Sequence, residues 1–436
     1  MPIWEPDKEC MSRDELQQFQ LERLQATLNR VYRNVSFYRR RFKECDFHPE
    51  NDLTELKDLQ RLPFTTSLDV SDSYPYDMFA VPLREVVRVH SSSGTMTNPR
   101  VVGYTRQDLR TWSSLVARIL SAGGVTQDDV IQVAFAYGLM TGGLGIHYGA
   151  ERIGASVLPT SVGRTERQVK IMQDFRSTVL VSTPSYALVI ADKLDEMKVD
   201  PKRLSLRYCI CAGEPWTEDM RREIEERLYV KVTDNYGISE VMGPGVAGEC
   251  LEQNGMHIQE DQFHAEIIDP GTGRILEPGE EGELVITTLT KEAFPVIRYR
   301  TGDLCRILTE PCPCGRTFHR IGRILRRCDD VVVIKGINII PERIGDILEQ
   351  IKGERPVYQL VAVRDGHKDQ LEIRVEVTEQ FFYDKMREQR TLVDGMRTKV
   401  ANFIGITPRI KLVEKGSLVR QDGVVRLFVD CRNPVR

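Results

Sequence analysis

A chain of 436 residues, 41% hydrophobic and 28% charged, is long enough for two or three domains with substantial cores. A net charge of −4 excludes a protein that holds nucleic acid by bulk charge, and no apolar run approaches the roughly 18 residues of a membrane helix. The acidic, polar start MPIWEPDKECMSRDE is not a signal peptide, and ten scattered cysteines read as reduced thiols, some bound to metal, in a cytoplasmic protein.

In chain order, residues 12–44 place Leu16, Phe19, Leu21, Leu24, Leu28, Val31 and Tyr32 at helical spacing, with Ser12 and Glu15 as a capping box. VIQVAFAY (130–137) and TVLVST (178–183) read as buried strands, and patterns such as TERQVKIMQDF between them read as helices. This alternation predicts an α/β fold with mixed sheets covered by helices. From 256 to 308, HAEIIDPGTGRILEPGEEGELVITTL reads as strand, GTG turn, strand, PGE turn, strand: a β-meander, or barrel-like subdomain. From 329 onward, VVVIKGINIIPERIGDILEQI reads as strand, turn and helix, followed by LVAVRD, LEIRVEV and RIKLVEK as short strands. The division is a large domain over 1–328 and a small α+β domain over 329–436.

Three turns carry chemistry. In SSSGT, Ser91, Ser92, Ser93, Gly94 and Thr95 can converge backbone N–H and hydroxyl groups on phosphate oxygens. In DNYGISE, Tyr236 can stack on a flat base, Ser239 can bond a phosphate, and Glu240 can hold a magnesium ion. In YRTGDL, Asp303 suits the paired hydroxyls of a ribose. Each stretch alone reads equally as an ordinary turn: a solvated serine loop, a strand end, a Gly-Asp turn.

Their order changes the reading. SSSGT, CAGEPW, DNYGISE, YRTGDL and RILRRCDDVVVIKG follow one another, with YGLMTGGLGIHYGAERIG, YGISEVMGPGVAGEC, ITTLTKEAFPVIRYRTGDL and IKGINIIPERI among them. The chain resembles the adenylate-forming superfamily, and within it the phenylacetate–coenzyme A ligase family, almost end to end. The resemblance implies ATP, Mg²⁺ and coenzyme A as cofactors and an aryl carboxylic acid as substrate. It implies a mobile small domain, and a homodimer by analogy. Ser91 to Thr95 would then face the phosphates. Gly213 and Glu214 would line the adenine and Tyr236 would stack on it, with Pro215, Asp234, Asn235 and Gly237 also in the cofactor site. Ser239 would touch the α-phosphate and Glu240 would hold magnesium. Asp303 would take the ribose, with Arg327 beside it. Asp329 would be the hinge, and Lys335 and Gly336 would belong to the thioester-forming site. Tyr137, Gly142, Gly143, Ala212, Ile238 and Pro244 would wall a flat slot for an aryl ring.

Two departures bear on mechanism. The family's loop reads S-S-G-T-T-G-K-P, whereas this chain has Thr97 and Asn98 at the glycine and lysine positions. The family's C-terminal G-K-x-x-R lysine is replaced by Val424, between Gly423 and Arg426. The expectation is an atypical ligase in which another cation, such as Lys415 or Arg420, is recruited, or in which adenylation is slow. Two other readings stay open: an adenylate-forming ligase whose acceptor is an amine or a carrier-protein thiol, and a nucleotide- or acyl-adenylate-binding protein that has lost adenylation. Separately, Cys250 and His257 with the PCPCG pair, Cys312 and Cys314, form a Cys₃His set suited to structural zinc, with His319 and Cys305 as alternative ligands.

Overall fold

The computed structural model describes residues 3–92, 99–328, 331–378, 386–421 and 424–432. The chain divides into two compact units that meet in sequence at residues 329 and 330. Ser93, Gly94, Thr95, Thr97 and Asn98 lie outside the described residues, as do Asp329 and Gly423.

In the first unit, β1 (Arg88–Ser91) and β2 (Val101–Tyr104) form a hairpin that flanks the serine loop. The main sheet holds β3 (Val130–Val133), β4 (Ser156–Leu158), β5 (Val179–Ser182), β6 (Tyr208–Ala212), β7 (Lys231–Ile238), β8 (Gly243–Glu249) and β9 (Met256–Ile258). Two short strands, β13 (Ile307–Leu308) and β14 (Arg320–Ile321), extend it, and the spatial order is β13-β14-β9-β8-β7-β6-β5-β3-β4. The strands from β4 across to β7 are parallel, and those from β7 to β13 are antiparallel. All four residues of β5 are buried, as a strand covered on both faces requires, and each such valine or leucine contributes about 1.5–3 kcal/mol of burial.

Residues 12–44 form two helices, Arg13–Asn34 and Ser36–Glu44, separated where Val35 takes an extended backbone (φ −112°, ψ 110°). The Ser12–Glu15 capping box opens the first, as the spacing predicts. Helices Arg106–Ala122 and Thr141–Ile153 lie against each other through glycine: a Cβ on Gly149 would fall 2.3 Å from Val116.

The expected meander is a second antiparallel sheet, ordered β10-β11-β12-β15, of β10 (Phe263–Ile268), β11 (Gly282–Thr288), β12 (Tyr299–Cys305) and β15 (Arg326–Arg327). The predicted middle strand around RILE is not one. Asp269 accepts from the backbone N–H groups of Gly271 and Thr272, closing a tight turn, and Ile275 makes a single bridge to Ile268. Turn chemistry here outweighs the apolar pair Ile275–Leu276.

The second unit has a sheet ordered β20-β19-β18-β23, from β18 (Tyr358–Asp365), β19 (Lys368–Val377), β20 (Arg409–Glu414) and β23 (Phe428–Asp430). Helices Pro341–Lys352 and Met386–Ile404 supply Ile344, Leu348, Met396 and Val400 to its own core. Two small hairpins complete it: β16 (Val332–Ile334) with β17 (Ile337–Ile339), and β21 (Arg420–Gln421) with β22 (Val424–Val425).

Candidate functional site

Parallel strands present their C-terminal ends as a row of loops, the usual place for a ligand in such sheets. Here the row carries Ala134–Tyr137 after β3, Gly213–Trp216 after β6, and the end of β7. The β7–β8 turn holds Ser239 and Glu240 where the sheet changes from parallel to antiparallel pairing. That hairpin closes tightly: a Cβ on Gly237 would meet the Gly243 carbonyl oxygen at 2.0 Å.

Gly213 ends β6 at φ +87°, a left-handed conformation suited to glycine, and Glu214 accepts from the Ser185 N–H at 2.6 Å, at the start of helix Pro184–Glu196. The side-chain amide of Asn235 is buried, and neither its nitrogen nor its oxygen has a hydrogen-bond partner among the described residues. An unpaired buried amide costs about 1–3 kcal/mol unless something pairs with it, and a donor–acceptor pair is what the edge of a purine offers. Asp234, next in line, faces a different network. Its backbone N–H donates to Glu249, which also takes two bonds from Arg221 at 2.8 and 2.9 Å. Burial, then the Glu249 charge, pushes the Asp234 carboxyl up to about 7.

Tyr236 is bound to the second sheet. Its hydroxyl donates to Asp303 Oδ2 at 2.7 Å, while Arg327 Nη1 donates to Oδ1 at 2.8 Å and Nη2 to the Thr301 carbonyl at 2.9 Å. β12 and β15 pair Asp303 directly with Arg327, so strand register sets this contact. Burial, then the adjacent Asp303 carboxylate, raises the tyrosine's pKa, which keeps the hydroxyl a donor.

Beside Ser92 and Glu240, both expected at the phosphates, lies a cation that the sequence reading did not single out. Arg100, only 7% exposed, sits just before β2. Its Nε donates to Ser92 Oγ at 3.2 Å and lies 2.9 Å from Glu240 Oε1. The single Nε proton points to the serine, so the contact with Glu240 is ionic and Oε1 receives no hydrogen bond. Burial opposes the charge on Arg100, but Glu240 and the Tyr299 hydroxyl outweigh it and its pKa is raised. Ser91 lies on β1, donating its backbone N–H to Leu139 at 2.9 Å.

Three residues steady the 239–242 turn. Thr141 and Ser239 share a hydroxyl–hydroxyl bond of 2.9 Å, the Tyr104 hydroxyl donates to the Met242 carbonyl at 2.9 Å, and Lys291 Nζ donates to the Val241 carbonyl at 3.0 Å. Lys291 is buried with its ammonium 4.4 Å from the Tyr104 ring centroid. Burial lowers its pKa to about 8, against the partial restoring pull of Asp108 and Glu240.

Phe135, which the sequence reading left out, lies beside two of the glycines expected to wall an aryl slot or line the nucleotide. A Cβ built on Gly142 or on Gly213 would lie 3.5 Å from this ring, so both glycines border its Cδ1–Cε1 edge without crowding it. Gly143 serves closeness instead: its Cβ would fall 2.6 Å from the Ala136 carbonyl oxygen. The Tyr137 hydroxyl lies 3.3 Å from His147 Nδ1, and His147 Nε2 lies 3.1 Å from Glu151, so the tyrosine ring is held from its far end. Ala212 pairs with Asn235 across β6 and β7, and Gly237 pairs with Pro244. Ile238 packs at the edge of the core.

Lys335 and Gly336 form the β16–β17 turn in the second unit, at φ +53° and +73°. Of the cations proposed to replace the missing lysine, Arg420 is held by Glu376 at 3.2 Å, and Lys415 is exposed.

The Cys₃His set comes together. One ligand atom from each of Cys250, His257, Cys312 and Cys314 lies within 4.8 Å of all the others, and all four residues are buried. Cys250 and Cys312 sulfurs are 3.7 Å apart, Cys314 sulfur is 3.4 Å from His257 Nε2, and His257 Nδ1 faces the Phe318 carbonyl at 3.3 Å. That last contact turns Nε2 toward the thiols, as the outer partner of a ligating histidine does. His319 is engaged by Arg13 and Glu260, and Cys305 lies on β12, so neither alternative ligand belongs to the set.

A family model described as AMP-binding enzyme matches residues 36–290, and one described as AMP-binding enzyme C-terminal domain matches 336–432. Phenylacetate-coenzyme A ligases of Pseudomonas putida and Escherichia coli are 46% and 45% identical to the chain, covering 95% and 98% of it and 94% and 97% of themselves. The chain belongs to the phenylacetate–coenzyme A ligase family. The ligase of Thermus thermophilus is 44% identical, covering 99% of this chain and 100% of its own. A solved 2-hydroxyisobutyryl-CoA ligase, in complex with 2-HIB-AMP and CoA, is 30% identical with a TM-score of 0.92, covering 98% of this chain and 92% of that one. This chain is therefore an AMP-forming acid–CoA ligase with the mixed α/β fold of that family.

Proposed function

We propose that this ligase activates an aryl or arylacetic acid. A carboxylate oxygen of the acid attacks the α-phosphorus of ATP, the bond to the pyrophosphate oxygen breaks, and an acyl-adenylate remains. Coenzyme A sulfur then attacks the acyl carbon, and AMP leaves with the bonding pair. The observation that carries this reading is the continuity of the site. Ala212 pairs with the unpaired Asn235 across β6 and β7, the next residue, Gly213, borders Phe135, and Tyr236, next to Asn235, leads through Asp303 to Arg327.

The residues fit their groups chemically. The Asn235 amide meets a purine edge, and Asp303 takes a diol. Glu240 Oε1, which receives no hydrogen bond, would hold Mg²⁺, which neutralises phosphate charge as the pyrophosphate departs. Ser92 and Ser239 present hydroxyls to phosphate oxygens. Asp329 acts as the hinge between the half-reactions, and Lys335 with Gly336 serves the second. The four-residue Cys₃His cluster holds a structural zinc ion, with no coordination position left for substrate. The protein works in the cytoplasm as a homodimer, and among the described residues no helix is long and apolar enough to cross a membrane.

The test is acid-dependent pyrophosphate release, with and without coenzyme A, over phenylacetic, benzoic and bicyclic acids. Expected are release with at least one aryl acid and a thioester once coenzyme A is added. Release that yields product only with an amine or carrier-protein thiol would replace coenzyme A as acceptor. Tight ATP binding with no release from any acid would overturn the reading.

A further inference from the structure

We infer that Arg100 is the phosphate-facing cation of adenylation in this ligase, a role that rests on the adenylation reading above. The resemblance places a lysine at position 98, where this chain has Asn98, and two residues later the chain supplies an arginine. An arginine buried to 7% exposure needs a reason, because desolvating a guanidinium is costly unless it is paired. Its pairing is local to the reaction centre: Ser92 Oγ of the serine loop at 3.2 Å and the Glu240 carboxylate at 2.9 Å. The Tyr299 hydroxyl and the Arg327 charge are close enough to act on it as well. No other lysine or arginine among the described residues forms an ion pair with Glu240.

The chemistry follows from that position. Without nucleotide, Arg100 and Glu240 neutralise each other. With Mg²⁺–ATP bound, Glu240 would hold the metal, and the Arg100 guanidinium, its counter-charge engaged elsewhere, would be available to the phosphates beside Ser92. Its planar fork of donors matches two phosphate oxygens at once, and unlike a lysine it stays charged when buried. During attack of the acid on the α-phosphorus, the electron pair of the breaking bond goes to the pyrophosphate. A fixed cation there stabilises the transition state more than the ground state. The second half-reaction expels AMP rather than pyrophosphate and makes no such demand on Arg100.

The experiment separates the half-reactions. Arg100→Gln and Arg100→Lys are assayed for acid-dependent pyrophosphate release, then for thioester formation from a chemically prepared acyl-adenylate and coenzyme A. Arg100→Gln is expected to slow release by about 10²–10³-fold while changing thioester formation by less than about threefold, and Arg100→Lys is expected to recover about tenfold of the loss. A merely structural arginine would lower both half-reactions together, since one site holds the adenylate in each. Parallel loss, or unchanged release in Arg100→Gln, would overturn the inference. If the glutamine variant does not fold, the split is read on the lysine variant alone. Absence of release by the unmodified protein would instead count against the ligase reading itself.

Discussion

Gly142 and Gly143 are neighbours in the first turn of helix Thr141–Ile153, yet the same substitution should do opposite things to them. A Cβ on Gly142 would sit 3.5 Å from the Phe135 ring, an ordinary contact. Gly142→Ala should therefore fold as well as the parent, or better by about 0.5–1 kcal/mol, because alanine loses less backbone entropy in a helix. In the proposed slot, the added methyl would take space from an aryl ring. Overpacking a well-fitted cavity costs about 1–3 kcal/mol, which predicts a fall of about 5–150-fold in kcat/KM for broad aryl acids and little change for narrow ones. A Cβ on Gly143 would fall 2.6 Å from the Ala136 carbonyl oxygen, which is backbone and cannot swing aside. Gly143→Ala should lose about 1–3 kcal/mol of stability. Urea denaturation of both variants, with pyrophosphate release across acids of increasing ring width, reads both effects. If Gly142→Ala accepts wide acids as readily as the parent, the space beside Phe135 is not the substrate slot and the reasoning fails.

Tyr236→Phe keeps the ring but removes a 2.7 Å donor to Asp303, a charge-assisted bond of about 1.5–3 kcal/mol, so KM for ATP should rise by about 10- to 150-fold; an unchanged KM would detach Asp303 from the ribose. Lys291, whose pKa burial lowers to about 8 from 10.5, binds fewer protons folded than unfolded between those values. Stability of the parent should thus rise as pH climbs from 8 to 10.5, a rise that Lys291→Met should lack; parallel urea curves for the two across that range would refute it. Metal analysis should find one zinc per chain. Cys312→Ser or prolonged chelation should remove it and lower the unfolding temperature, whereas a metal-free protein of unchanged stability would leave the Cys₃His cluster as packed thiols.

Features set by neighbours along the chain were legible in the sequence. The Ser12–Glu15 capping box lies within one helical turn, and the buried run of β5 needs only residues that suit a covered strand. The Cys-x-Cys turn and its distant Cys–His partners were also readable, because few side chains offer soft metal ligands. The proposed nucleotide residues rest on resemblance, since each turn by itself has an ordinary reading. RILE failed as a strand because Asp269 closes the preceding turn with its side chain, a bond that an apolar pattern does not encode.

What the sequence determined by itself, then, was the local vocabulary: helices and their caps, covered strands, the order of the turns and the types of residue available for chemistry. Which groups meet was decided by tertiary structure. Arg100 reaches Glu240 across 140 positions, Tyr236 reaches Asp303 across 67, and Lys291 reaches the Val241 carbonyl across 50. Those contacts arise from strand order and register in the two larger sheets and from the β1–β2 hairpin placed beside them. No local preference specifies a partner so far along the chain; burial does, by making an unpaired charge or hydroxyl too costly to leave alone.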